Sequence, residues 1–257
     1  MSIIIKSPQE IAVMRQAGSI LAAVLVVLAD KVRVGMRTRD FDDIVAAELA
    51  RRGARSAFKG YRGYPAQLCV SVNEEIVHGI PGSRVLKEGD IVSLDVGAIY
   101  DGLQADTAIT VPVSEVSSRA RDLIETTRGA LEAGVAAARF GNRLGDISNA
   151  VQRYVESRRF AVIREYTGHG VGRELHEDPQ IPNFGPSSQG PLLKPGMTLA
   201  LEPMVSAGDW RTRLCSNRWT VVTADGSLAA HFEHTIAITE GQAEVLTALQ
   251  PVGTGQV

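Results

Sequence analysis

The fold is decided by residues 91–111, which read IVSLDVGAIYDGLQADTAITV. Two strand-like runs, 91–100 and 103–111, flank the dipeptide Asp101-Gly102. Asp-Gly favours the type I′ turn, in which both central residues have positive φ, and it is a strong local signal for a two-residue hairpin loop. The sequence therefore predicts a long β-hairpin that turns at Asp101 and Gly102.

The register of this hairpin brings two acidic residues together. If Asp101 and Gly102 form the turn, Gly97 pairs with Asp106, and paired residues share a face of the sheet. Asp95 lies two residues before Gly97, so Asp95 and Asp106 are diagonal neighbours roughly 7–8 Å apart. Gly97 has no side chain, and we expect that face to be open. An isolated pair of this kind most often belongs to an exposed face or a salt bridge, and bound cations are the alternative.

Two helices are predicted upstream of the hairpin. Ser7-Pro8-Gln9-Glu10 is a capping box with proline at the first helical position, and apolar residues follow it at helical spacing, so we expect a helix over residues 8–31. Its most apolar run, 20–29, is ten residues long. That length is about half of what a membrane-spanning helix needs, which indicates a core helix. Thr38 is expected to cap a second helix that ends near Gly53.

The second half of the chain repeats this plan. Helices are expected over 118–139 and 146–158, followed by strands toward 199–202 and 232–238. Two separate stretches of sequence also recur at nearly equal offsets: Gly35, Arg37, Asp40 and Phe41 are matched 106 residues later by Gly141, Arg143, Asp146 and Ile147, and 86–95 is matched 107 residues later by 193–202. Both copies of the second match end on an acidic residue. We infer two related halves of roughly 107 residues whose strands bring carboxylates to one place.

Composition limits the class of protein. The chain has 257 residues, of which 44% are hydrophobic, enough to bury a sizeable core. Its net charge of -2 supplies no basic field for a polyanion, which argues against nucleic acid as the primary ligand. Cys69 and Cys215 form neither a disulfide framework nor a CxxC zinc site, and residues 1–10 lack the apolar core of a signal peptide. We expect a cytoplasmic protein with no membrane partner.

Three further residues extend the acidic pair. His169 lies between glycines in residues 167–172, Glu202 follows an apolar run and precedes a proline, and Glu233 stands in an alternating strand pattern. Each of them alone is most often a structural residue. Together with Asp95 and Asp106 they form a set of four carboxylates and one imidazole, which two divalent cations would neutralise. An oxygen-rich ligand set with one histidine is suited to Mn, Fe or Co. It does not resemble a structural zinc site, which is built from cysteines.

These residues lie in motifs that resemble those of a known family. The motifs are, in chain order, Val70-Ser71-Val72-Asn73-Glu74, Val77-His78-Gly79-Ile80-Pro81, Leu94-Asp95-Val96, Asp106-Thr107, Gly168-His169-Gly170-Val171-Gly172, Leu201-Glu202-Pro203-Met204 and Phe232-Glu233-His234-Thr235. They are similar to the dinuclear metal set of type I methionine aminopeptidases, over residues 7–249. The resemblance implies the pita-bread fold, an α/β (α+β) architecture with two pseudo-symmetric halves and helices packed outside a curved antiparallel sheet. It implies one catalytic domain over 1–257, with an internal repeat of 7–113 and 118–240 and without the family's zinc-finger extension.

The resemblance also assigns roles to the ligand set. Asp106 and Glu233 would bridge two divalent cations (Co, Mn, Fe or Zn), His169 and Glu202 would complete the first site, and Asp95 would bind the second. The implied reaction is metal-assisted hydrolysis that removes the N-terminal methionine of nascent proteins and peptides, with a preference for a small second residue. Glu202 would also shuttle a proton. We expect the enzyme to act as a monomer, and a contact with the ribosome is left open.

Two histidines and an apolar pocket complete the implied site. His78 and His176 share the spacing His-x-x-Pro; the resemblance places His78 at the scissile amide and His176 at the tetrahedral intermediate, while both would be ordinary loop residues without it. The positions matched to the methionine pocket are Tyr61, Tyr64, Cys69, Leu175 and Trp219. The family often carries an aromatic residue where this chain has Leu175, which leaves the tightness of the pocket open. Gly97 likewise replaces a polar residue often found beside the second metal, which could weaken that site.

Two other classes of protein fit parts of the pattern. A prolidase or aminopeptidase P would use the same five ligands, but these relatives carry an additional N-terminal domain, and only 94 residues precede Asp95. A non-catalytic binding module on the same fold would not need all five ligands and both histidines. The sequence therefore favours the methionine aminopeptidase.

Overall fold

The computed structural model describes residues 2–248. Four α-helices are present in this part of the chain: α1 (Pro8–Lys31), α2 (Asp40–Arg51), α3 (Ser118–Ala137) and α4 (Leu144–Glu156). A short 3-10 helix, Tyr61–Gly63, lies between α2 and the hairpin. Met1 and residues 249–257, the two ends of the predicted 1–257 domain, lie outside the described residues.

Helix α1 has the predicted bounds. Ser7 Oγ accepts the backbone N–H of Glu10 (3.2 Å) and the Glu10 carboxylate accepts the backbone N–H of Ser7 (2.8 Å), which is the reciprocal capping box. By length and composition α1 could cross a membrane. Its buried side chains, which include Leu21 and Leu28, instead pack in one core cluster with strand residues such as Leu94. The helix is therefore a core element, as predicted.

The predicted cap of the second helix was wrong. Arg39 is the N-cap of α2, and the Asp40 carboxylate accepts the backbone N–H of Arg37 (2.9 Å) in place of a threonine cap. The hydroxyl of Thr38 accepts the backbone N–H of Gly82 (2.9 Å) and so joins two distant loops. Gly53 follows the helix with φ of 71°, as expected for a residue that ends a helix in the left-handed region. Helices α3 and α4 end two residues earlier than predicted, and α4 also begins two residues earlier.

Fifteen strands accompany the helices. They are β1 (Arg55–Ser56), β2 (Cys69–Val72), β3 (Glu75–Val77), β4 (Ile91–Tyr100), β5 (Leu103–Pro112), β6 (Ala161–Val162), β7 (Thr167–Gly170), β8 (Glu177–Pro182), β9 (Thr198–Leu201), β10 (Met204–Ser206), β11 (Thr212–Leu214), β12 (Val221–Thr223), β13 (Ala229–His231), β14 (Glu233–Ala237) and β15 (Glu244–Val245). Nine of the strands form one sheet with the order β1-β4-β5-β14-β9-β7-β8, in which β2 also pairs with β4 and β15 with β14. All its pairs are antiparallel.

The hairpin has the predicted turn and register. Asp101 and Gly102 have φ of 46° and 80°, and Tyr100 pairs with Leu103. Counting along the strands, Gly97 pairs with Asp106, as predicted. Asp95 and Asp106 therefore lie on one face of the sheet, in the middle of strands β4 and β5.

The helices cover one side of the large sheet in two groups. Helices α1 and α2 pack with β2 and β4 in one core cluster, and α3 and α4 pack with β9 and β14 in another. This helix packing leaves the opposite face of the sheet for polar side chains.

The second helix of each group, α2 or α4, begins in the same way. Asp40 accepts from the backbone N–H of Arg37 (2.9 Å), and Asp146 accepts from the backbone N–H of Arg143 (2.7 Å).

Candidate metal centre

The five predicted ligands come from five neighbouring strands. Asp95 lies on β4, Asp106 on β5, Glu233 on β14, Glu202 directly after β9 and His169 on β7, and these strands are adjacent in that order.

The strand registers place all five side chains on one face. Glu233 pairs with Ala108, two residues from Asp106, so Glu233 and Asp106 share a face. His169 pairs with Ala200, two residues from Glu202, so the same rule places His169 and Glu202 together. The pairing of His234 with Leu201 joins the two sets, because it places Glu233 beside Glu202. The sheet therefore gathers the four carboxylates and the imidazole at one point.

The distances within this group suit a shared cation. Ligand atoms of Asp106, His169 and Glu233 all lie within 4.8 Å of one another, and all three residues are buried. Nε2 of His169 is 3.4 Å from a carboxylate oxygen of Glu202. The carboxyl groups of Asp95 and Asp106 lie within hydrogen-bonding reach of each other.

The electrostatics of the group favour the uptake of protons or of cations from outside the chain. Burial raises the pKa of Asp95 to about 7 and holds the pKa values of Asp106, Glu202 and Glu233 well above the usual range. Oδ1 of Asp95 and Oε1 of Glu233 are buried without a hydrogen-bond partner among residues 2–248. Within the same part of the chain, no lysine or arginine forms a salt bridge with these carboxylates. Unpaired buried carboxylates are costly, and divalent cations relieve that cost. The residues therefore fit a metal site.

His169 is oriented for metal binding by its own neighbour. Its Nδ1 lies 2.9 Å from the carbonyl oxygen of Gly170. A carbonyl can only accept, so Nδ1 carries the proton and the lone pair of Nε2 faces the carboxylates. Burial lowers the pKa of His169 to about 4, which keeps the ring neutral at pH 7.

The two predicted histidines lie in the same cavity as the ligands. The His176 ring stacks on Tyr61, with Nδ1 2.9 Å from the Tyr61 hydroxyl, and its centroid is 4.2 Å from that of His169. His78 contacts Trp219 edge to face, with 6.3 Å between ring centroids. Burial lowers the pKa of His78 to about 4 and that of His176 to about 3, so both rings are neutral at pH 7.

An apolar cavity of about 150 Å³ opens beside the carboxylates. All the predicted pocket residues line it: Tyr61, Tyr64, Cys69, Leu175 and Trp219. Leu175 is buried, and it belongs to one apolar cluster with Tyr64 and Cys69. The five predicted ligands, His78 and His176 complete the lining together with two residues that the sequence did not predict, Phe58 and Arg62.

Phe58 changes the interpretation of Gly97. A Cβ atom at Gly97 would lie 2.6 Å from Cε1 of Phe58 and 3.1 Å from the Cβ of Ala57. The sequence predicted an open face beside Gly97. That prediction was wrong, because Phe58 occupies the space. The signal that could have indicated Phe58 is its place three residues before Tyr61, in the same loop.

His231 is a third residue near the ligands that the sequence analysis missed. It is buried, its Nε2 is 3.9 Å from carboxylate oxygens of both Glu202 and Glu233, and neither ring nitrogen has a hydrogen-bond partner among residues 2–248. Its place two residues before Glu233, on the same face of an alternating pattern, was a usable signal.

Comparison with known proteins gives consistent results. The sequence profile of metallopeptidase family M24 matches residues 12–240. Methionine aminopeptidase 1 of Bacillus subtilis is 51% identical over 245 residues, which are 95% of this chain and 99% of that protein. The crystal structure of methionine aminopeptidase from Thermotoga maritima superposes with a TM-score of 0.95 at 51% identity, covering 96% of this chain and 99% of that one. Prolidase from Pyrococcus furiosus, at 23% identity and a TM-score of 0.79, shares the fold; the match covers 96% of this chain but 66% of the prolidase.

Proposed function

Because this chain belongs to metallopeptidase family M24 and is a metal-dependent hydrolase that removes N-terminal methionine, we propose which of its residues perform the reaction. Its fold is the pita-bread fold that methionine aminopeptidases and prolidases share. The observation that carries the proposal is the arrangement of the ligand set: five side chains from five adjacent strands meet on one face, at the base of an apolar cavity.

We assign two divalent cations to this set. Asp106 and Glu233 would be shared by both cations, His169 and Glu202 would complete the first site, and Asp95 would hold the second. Four carboxylates balance the charge of two divalent cations. Co, Mn, Fe and Zn are all compatible with these ligands. When bound, the cations supply Lewis-acid polarisation of the scissile carbonyl and a lowered pKa for water.

The chain's own residues orient the peptide and move the proton. Glu202 is the assigned proton shuttle, because its buried carboxylate lines the cavity beside His169. His176 is the assigned donor to the tetrahedral intermediate: if the Tyr61 hydroxyl donates to Nδ1, the proton of the neutral ring is on Nε2, available to the developing oxyanion. His78 is assigned to the scissile amide.

The apolar wall of the cavity is the proposed site for the methionine side chain. Cys69 and Leu175 offer a sulfur and a branched aliphatic surface, and Tyr64 and Trp219 meet edge to face with centroids 5.0 Å apart. Such walls suit a thioether. The preference for a small second residue is part of the same proposal.

We place the enzyme in the cytoplasm as a monomer that acts on nascent polypeptides. The free thiols of Cys69 and Cys215 support a reducing compartment.

The test is incubation of the purified protein with a Met-Gly-x peptide, with chelator and with added Mn²⁺ or Co²⁺. Release of methionine that requires metal supports the proposal. Release of dipeptides or cleavage before proline would instead place the chain with the prolidases. No cleavage under any condition would indicate a non-catalytic binding module.

A further inference from the structure

A buried lysine near the start of the chain reaches the loop that carries His176. Lys6 donates through Nζ to the carboxylate of Glu177, and the two side chains are only 1% and 3% exposed. Lys6 lies outside residues 12–240, which match the family profile. The ion pair therefore joins the N-terminal segment to the active-site loop, residues 172–177.

Glu177 determines the shape of this loop. Its second carboxylate oxygen accepts the backbone N–H groups of Arg173 (2.7 Å) and Glu174 (3.1 Å). These two hydrogen bonds close the turn directly before Leu175 and His176. A carboxylate that performs this task while buried needs a compensating cation, and Lys6 is that cation.

The path of the N-terminal segment across the loop depends on two glycines. A Cβ atom at Gly172 would collide with the Lys6 side chain, and one at Gly196 would lie 2.6 Å from Ile5 and 2.9 Å from the carbonyl oxygen of Lys6. The backbone N–H of Lys6 also donates to the carbonyl of Gly196 (2.8 Å). Backbone and side chain of Lys6 are thus both held in place, whereas a second ion pair, Glu10 with Arg173, is more exposed and contributes less.

We propose that Lys6 is a positioning residue, which acts through Glu177 to hold the loop of residues 172–177 so that Leu175 and His176 face the substrate. Buried ion pairs contribute little net stability compared with apolar replacements, and specifying one conformation is the better-attested role for them. The inference rests on the proposed function, because that function gives Leu175 and His176 their roles.

The experiment compares four variants with the parent protein. K6M keeps the aliphatic stem and removes the charge, K6R keeps the charge, and K6M/E177Q removes both charges but retains an oxygen that accepts the two backbone N–H groups. R15M is the matched control, since Arg15 of α1 pairs with Glu244, away from this loop. Three quantities are measured well below the unfolding temperature: hydrogen exchange at the amides of Arg173 and Glu174, kcat/KM on a Met-Gly-x peptide, and the dissociation constant for Mn²⁺.

We expect K6M to exchange these two amides faster and to lose about 100-fold in kcat/KM, with Mn²⁺ affinity unchanged. K6R and K6M/E177Q should recover most of the loss, and R15M should match the parent. Unchanged exchange in K6M, or faster exchange with unchanged kcat/KM, would overturn the inference, and so would an equal effect of R15M. Failure of the proposed function would be distinct, because the parent protein itself would release no methionine.

Discussion

Gly97 and Phe58 share one space in the active site: a Cβ atom on Gly97 would lie 2.6 Å from Cε1 of Phe58. Gly97 pairs with Asp106 and is two residues from Asp95, so this contact lies among the proposed ligands of the second cation. Phe58 can therefore line the cavity only because position 97 has no side chain.

We predict that G97T lowers both stability and kcat/KM, because the new side chain must displace Phe58. Overpacking of this kind costs about 1–3 kcal/mol. Removing the aromatic ring in F58A/G97T should restore part of the stability and part of kcat/KM. A double-mutant cycle of unfolding free energies and of kcat/KM measures the coupling between positions 58 and 97. Additive effects would show that the two side chains do not compete for space.

Loss of one bridging charge should disable the whole metal centre. In D106N or E233Q we expect activity to be abolished while the fold survives, because in the proposed site each carboxylate would hold both cations and its loss would weaken both sites. Metal content, binding isotherms for Mn²⁺ and circular dichroism check this. D122N, at an exposed position on α3, is the control. A D106N protein that keeps most of its turnover at equal metal loading would contradict the bridging role.

Replacement of His176 should affect the chemical step. H176A is expected to lower kcat by about 100-fold to 1000-fold with little change in KM, because a donor to the oxyanion contributes mainly in the transition state. Y61F removes the hydroxyl that lies 2.9 Å from Nδ1 of His176 and should cause a smaller loss of the same kind. Steady-state kinetics measure both. A change confined to KM would instead make His176 a substrate-binding or structural residue.

Leu175 should control selectivity for the substrate side chain. L175F adds a flat aromatic wall to the pocket, and we expect it to raise kcat/KM for Met-Gly-x relative to ethionine-Gly-x. The two substrates differ by one methylene, so the change in the free energy of discrimination should not exceed about 1–3 kcal/mol. L192F, at a partly exposed position, is the matched control. If the ratio does not change in L175F, the remaining pocket residues already determine selectivity.

The pH dependence of stability should depend on bound metal. Burial lowers the pKa of every histidine of the chain, to about 3 or 4, so above their usual pKa of 6.5 these groups are neutral in both the folded and the unfolded state. The carboxyl groups have raised pKa values in the folded state, to about 7 for Asp95 and well above the usual range for Asp106. Their stabilising contribution is present at low pH and is lost as pH rises through the folded pKa.

Metal-free protein should therefore lose thermal stability as pH rises above about 6.5. Saturating Mn²⁺ should remove or reverse this slope, because cations favour the ionised carboxylates. Calorimetric unfolding with chelator and with Mn²⁺, at several pH values, measures the difference. A metal-free protein whose Tm is constant or rises across this range would contradict the electrostatic account.

Local patterns predicted the elements that local physics controls. The turn at Asp101-Gly102 and the two-residue period of its strands were enough to pair Gly97 with Asp106. The capping box at Ser7 was enough to begin α1. Thr38 was predicted wrongly because its hydroxyl has a partner 44 residues away, the backbone of Gly82, while Asp40 takes over the start of the helix.

By itself, the sequence determined the hairpin register, the first helix and the five candidate ligands, because turn chemistry and side-chain alternation are properties of neighbouring residues. The resemblance of its motifs to those of known proteins indicated the family. Only the tertiary structure decided that Phe58 occupies the space at Gly97, that His231 lies between Glu202 and Glu233, and that Lys6 pairs with Glu177. Each of these contacts depends on which elements the whole fold brings together. Volume exclusion and charge neutralisation act in these contacts between side chains of different elements. The spacing of such residues along the chain follows no regular pattern, so the sequence could not predict that they meet.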